Sequence, residues 1–211
     1  MKETFIDGVG QLYYATPQDV EEMPDGVEKA FFSKLFLVAD DICESLGISC
    51  PDIATTNTLV TAAEDGTLVE NTAMLFSNKK HSHLDKPIML IATARNDKYL
   101  MLGSIAHELR HQWQEENRPE LSDHYAYGMD TLYDEAEIDA DSFAIRYIAI
   151  NAFNDDYEEA AKHVCPFEKE LCEDAYNLRI ERAKQLKTKT PVTTRIIRFM
   201  KARKNYAQKT T

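Results

Sequence analysis

His107, Glu108 and His111 stand in the run Gly-Ser-Ile-Ala-His-Glu-Leu-Arg-His-Gln-Trp-Gln, two histidines four residues apart with a carboxylate beside the first. On a helix, residues i and i+4 share a face, so both imidazoles reach a single metal ion. Glu108 lies about 100° further round, placed to address a water on that ion without being a ligand. Metal-assisted hydrolysis needs these three residue types in this arrangement. The plain alternative is two histidines on a solvated face, satisfied by hydrogen bonds.

A catalytic metal site needs a third protein ligand. The acid-rich stretch from 130 to 148 supplies candidates, and helical periodicity separates them. Glu137 shares a face with Tyr133, Ala140, Asp141, Ala144 and Ile148, the apolar side, whereas Glu135 lines up with Asp139, Ser142 and Arg146 on a face expected to be solvated. A carboxylate on a core-facing stripe costs several kcal/mol unless it is paired or binds metal. Glu137 is therefore the expected third ligand, with an ion pair to Arg110 or Arg118 as the alternative. Asp141, one turn on, is placed to hold a ligating histidine by its second ring nitrogen. His124 is a rival third ligand. Otherwise His124, Tyr125 or Tyr127 is placed to donate a hydrogen bond to a developing oxyanion.

The two motifs together, His107-Glu-Leu-Arg-His111 and Glu137-Ile-Asp-Ala-Asp-Ser-Phe-Ala144, resemble the gluzincin pattern H-E-x-x-H…E-x-x-A-[DN]-x-F-A. The ImmA/IrrE-type metallopeptidases of phages and mobile elements carry it, and HtpX-type peptidases have a similar E-x-x-A-D. The resemblance spans roughly residues 70–150. It implies His107, His111 and Glu137 as ligands of one zinc ion, Glu108 as general base, and a protein or peptide substrate. The His124 alternative is similar to SprT/Spartan-like proteases, in which a later histidine completes the site.

The elements that must position these residues are partly readable. From 99 to 114 the apolar stripe is Met101, Leu102, Ile105, Ala106, Leu109 and Trp113, nearly opposite the histidines, and Gly103 leaves space for a chain segment or a ligand. Residues 1–22 read as irregular, and 26–46 as a helix stopped by Gly47. Strand-like runs follow at 72–76 and 88–93, separated by a polar turn that holds His81 and His83. The run at 88–93 is the expected sheet edge for an extended peptide. A segment at 155–164 and one long helix over 166–187 complete the pattern. Strands followed by helices predict an α+β fold, zincin-like, with a small mixed sheet packed on the active-site helix pair and a helical C-terminal part.

The chain has 211 residues, 44% of them hydrophobic, enough for one core. Residues 1–188 read as the catalytic domain and 189–211 as a basic helix or tail. Residues 179–211 carry 11 Lys and Arg against the single acid Glu181, while the whole chain has a net charge of −12. An acidic body argues against nucleic-acid binding except through that tail. Without a signal-type leader or an apolar run near the ~18 residues of a membrane span, the expected location is the cytoplasm. Cys43, Cys50, Cys165 and Cys172 are accordingly expected as reduced thiols, since their spacing does not suit a zinc ribbon. A non-catalytic zinc scaffold and a DNA-associated regulator are the competing classes.

Overall fold

A computed structural model describes residues 1–6, 9–62, 68–94, 97–122 and 132–186. The first segment is not irregular as its sequence suggests. It forms a hairpin of β1 (Lys2–Ile6) and β2 (Gly10–Ala15), then α1 (Pro17–Glu22). Inward positions such as Leu12 alternate with exposed ones such as Tyr13, a period-2 pattern too short and mixed to stand out among polar residues. Thr16 and Asp19 close a reciprocal capping box that starts α1.

Helix α2 (Val27–Leu46) ends at Gly47, whose left-handed φ of 69° suits a residue without a Cβ. Strand β3 (Asp52–Thr56), the hairpin β4 (Leu59–Ala62) and β5 (Leu68–Asn71), β6 (Ala73–Phe76) and β7 (Ile88–Ala92) follow. The five-stranded sheet has the order β1-β2-β3-β7-β6, with β3 and β7 parallel and every other pairing antiparallel. The β4–β5 hairpin stands apart as its own pair. This mixed sheet with helices makes the chain α+β.

β7 is therefore an interior strand and not the expected edge. All five of its residues are buried, Met89 and Ile91 on the helix-covered side and Ile88, Leu90 and Ala92 on the other. Its unbroken apolar run suits a strand covered on both faces. The edge nearest the histidines is β6. The Ala92 N–H donates to Thr72 O at 2.8 Å, which sets the phase of the antiparallel ladder. The backbone groups of Ala73 and Leu75 accordingly point away from β7.

The remaining elements are α3 (Lys98–Asn117), α4 (Pro119–Ser122), α5 (Glu135–Ala152), α6 (Tyr157–Val164), α7 (Pro166–Leu171) and α8 (Glu173–Gln185). The long helix expected over 166–187 is broken at Cys172, whose extended φ and ψ of −156° and 102° separate α7 from α8. Helices α3 and α5 pack on each other more extensively than any other pair of elements, and the main core joins them to α2 and one sheet face. α5 is buried nearly all round, so its Asp139–Ser142 side is not solvated. α8 packs over it, and the Ser142 hydroxyl donates to Ile138 O and Arg179 O. Gly103 admits a chain segment: a Cβ there would sit 3.1 Å from Val164 Cγ2 and 3.2 Å from Ile148 Cδ1. All four cysteines are free thiols. Among the described residues, no helix is long and apolar enough to cross a membrane.

Candidate metal centre

α3 begins where the Asp97 carboxylate accepts from the Tyr99 and Leu100 amides, a side-chain cap that fixes the first turn. About three and four turns on, His107 and His111 project from the side facing α5, while Leu102, Ile105 and Leu109 are buried in the core. α5 starts in the same way at Asp134, whose carboxylate accepts from the Ala136 and Glu137 amides. Glu137 thereby stands in a first turn that faces the two imidazoles.

The ligand atoms converge. His107 Nε2 and His111 Nε2 lie 2.9 Å apart, and the Glu137 carboxylate oxygens are 3.3 Å from the first and 3.4 Å from the second. Two ligand atoms each about 2.0–2.1 Å from a tetrahedral ion are separated by roughly 3.3 Å. Both histidine–carboxylate separations match that value, and the histidine pair is closer. Among the described residues, these three side chains form the one group of three or more whose spacing could hold a metal ion.

The proton positions follow from the partners. His107 Nδ1 is 2.8 Å from Asp141 Oδ1, and a carboxylate can only accept. His111 Nδ1 is 2.8 Å from Gln114 Oε1, while Gln114 Nε2 donates to Ala136 O and Asp139 Oδ2, both at 2.9 Å. Each ring therefore spends its Nδ1 proton on a fixed acceptor. In the neutral tautomers this leaves two bare Nε2 lone pairs and a carboxylate aimed at one another, a cluster satisfied only by protons or by a cation between them.

Electrostatics point the same way. Burial lowers the His107 imidazole, but the Asp141 and Glu137 carboxylates outweigh it and hold it well above its ordinary value. At His111, burial and the neighbouring His107 lower the imidazole, and Glu137 and Glu108 raise it further than they depress it. Burial raises the Glu137 carboxyl, yet the two histidines hold it well below the usual range. A field that favours positive charge at this point would also favour a metal ion. Neither alternative partner for Glu137 is used: Arg110 binds both oxygens of Asp139, and Arg118 pairs with Glu120.

Glu108 is not in the cluster. Its Oε2 accepts from the Leu75 amide at 3.0 Å, on the outward side of β6, and burial raises its carboxyl against the lowering effect of both histidines. Together with Ala73, Gly103, Ser104 and Val164, His107 and Glu108 line a cleft of about 150 Å³ open to solvent. His124, Tyr125, Tyr127 and the basic segment 189–211 lie outside the described residues.

Three residues of this centre escape a reading by helical faces: Gln114, Asp139 and Arg179. Arg179 on α8 is 1% exposed and donates from Nε to Asp141 Oδ2 at 2.6 Å. Its signal was available, because it sits between Ala175 and Ala183 on a small-residue stripe where a charge needs a reason, as at Glu137. Comparison with protein-family models, curated proteins and solved structures finds no match for this chain.

Proposed function

We propose that the protein is a zinc-dependent metallopeptidase of gluzincin type with a zincin-like fold, in which His107, His111 and Glu137 hold the ion and Glu108 is the general base. The observation that carries this reading is the convergence of two imidazole nitrogens and a carboxylate beside an open cleft. Two histidines and a glutamate are a known catalytic zinc set, and three protein ligands with an open side differ from the closed four-ligand sites that only stabilise a fold. Zinc held there would supply Lewis-acid polarisation of a carbonyl and acidify water.

The chain's own residues would do the rest. With Oε2 anchored by the Leu75 amide, Glu108 would accept a proton at Oε1 and then deliver it to the leaving amine. The outward groups of Ala73 on β6 would pair with an extended peptide laid along the cleft, the role expected of the 88–93 run. Asp141 and Gln114 would keep both rings oriented while charge develops.

A scaffold reading has one observation in its favour: the ligands come from α3 and α5, so a metal ion would also staple the two most closely packed helices. Glu108→Gln separates the two. It keeps size and hydrogen bonding but cannot take the proton, so zinc content should stay at the wild-type level while chelator-sensitive peptide hydrolysis falls by ~10²–10⁴-fold. Hydrolysis at the wild-type rate in Glu108→Gln would rule out Glu108 as base, and a wild-type protein that binds zinc but cleaves nothing in a proteome-wide substrate screen would favour the scaffold.

A further inference from the structure

We infer that Arg179 is a positioning residue of the metal centre: acting through Asp141, it fixes the ring and tautomer of His107, and so makes α8 part of the site. The inference rests on the metal-binding reading above and not on peptide hydrolysis.

The guanidinium is held on three sides. Nε donates to Asp141 Oδ2 at 2.6 Å, and Nη1 donates to Leu132 O at 2.8 Å and to Ala175 O at 3.1 Å. Ala175 is one turn back on α8, and Leu132 precedes α5, so the group is pinned to its own helix and to the segment before α5 before it touches the carboxylate. Asp141 then has one partner on each oxygen, Arg179 on Oδ2 and His107 Nδ1 on Oδ1 at 2.8 Å. A carboxylate gripped at both ends cannot rotate freely. The imidazole it accepts from is thereby fixed in plane, with Nε2 turned to His111 and Glu137.

His111 offers the contrast. Its Nδ1 acceptor is the neutral amide of Gln114, on its own helix, steadied by Ala136 O and Asp139 on α5. His107 alone is held through an element beyond the two motif helices. Mere packing of α8 on α5 does not call for a charge. An apolar side chain of similar volume would serve at least as well as a buried ion pair. Ala175 and Ala183, fully buried one turn to either side, leave the room that the guanidinium fills.

Cobalt(II) titration followed by visible absorption tests this, because it reads affinity and ligand geometry without any turnover. In the full chain, Arg179→Met should weaken cobalt binding by the ~10–100-fold typical of lost outer-shell support and change the visible bands. Asp141→Asn should do the same. The double variant should be no weaker than Asp141→Asn alone, since Arg179 acts through that carboxylate. If Arg179→Met does not fold, Arg179→Lys carries the comparison. Lysine keeps the charge but cannot hold the carboxylate and both carbonyls together, so a smaller loss is expected, again absent in the Asp141→Asn background. Cobalt binding and bands unchanged in the Arg179 variants, or a loss that persists undiminished beside Asp141→Asn, would overturn the inference. Absence of cobalt binding by the wild type would overturn the metal reading itself and this inference with it; binding indifferent to Arg179 would overturn this inference alone.

Discussion

Two glutamates two residues apart in the first turn of α5 meet opposite fates. Glu137 turns to the histidines, whereas Glu135 is exposed and pairs with Arg182 of α8. An exposed pair of this kind contributes little. Glu137→Ala should therefore lower zinc affinity by at least ~100-fold, beyond the range of outer-shell losses, and Glu135→Ala should leave it unchanged. Equilibrium dialysis of both variants decides it, and equal loss in the two would show that α5 does not supply the ligand in this way. The difference was legible from the helical face, because a charge on an apolar stripe marks Glu137. Asp139 and Ser142 were not legible, since they lie on the Glu135 side, where α8 buries Ser142 and Arg110 partly covers Asp139, contacts made at long range in the chain.

At the scale of elements, the site depends on α3 starting in the right place. Burial raises the Asp97 carboxyl, but the His163 imidazole and the Tyr99 and Leu100 amides outweigh it and hold it below its ordinary value of 3.8. A carboxyl held low in the folded state adds stability above its unfolded value, and the contribution fades as pH falls through the folded one. Asp97→Ala should cost about 1 kcal/mol at pH 7, the usual worth of a side-chain cap, and less as pH drops below about 4. Urea denaturation of both proteins at pH 7 and pH 3 measures this, and a gap as wide at pH 3 as at pH 7 would contradict it. The strands show where sequence reading stops. β7 was recognisable as a strand, but its continuous apolar run already spoke for an interior position. That β6 is the edge follows only from the strand order, which no local pattern encodes.

Across the whole molecule, the metal would join α3 to α5, and Asp141 and Arg179 would carry the connection to α8. Folding and metal binding should then be coupled. At free zinc 100 times the Kd, mass action adds about 2.7 kcal/mol, which for a chain of this size is roughly 5–11 °C in Tm. Calorimetry should show that rise over the chelated protein in the wild type and not in Glu137→Ala; the same rise in both would mean that zinc stabilises the fold from another site. The most direct test of the central claim is anomalous diffraction at the zinc edge from crystals of the full chain. The account predicts one peak about 2.0–2.2 Å from His107 Nε2, His111 Nε2 and a Glu137 oxygen, with its remaining position open to the cleft beside Glu108. A peak completed by His124 in place of Glu137, or no peak between the two histidines, would contradict it.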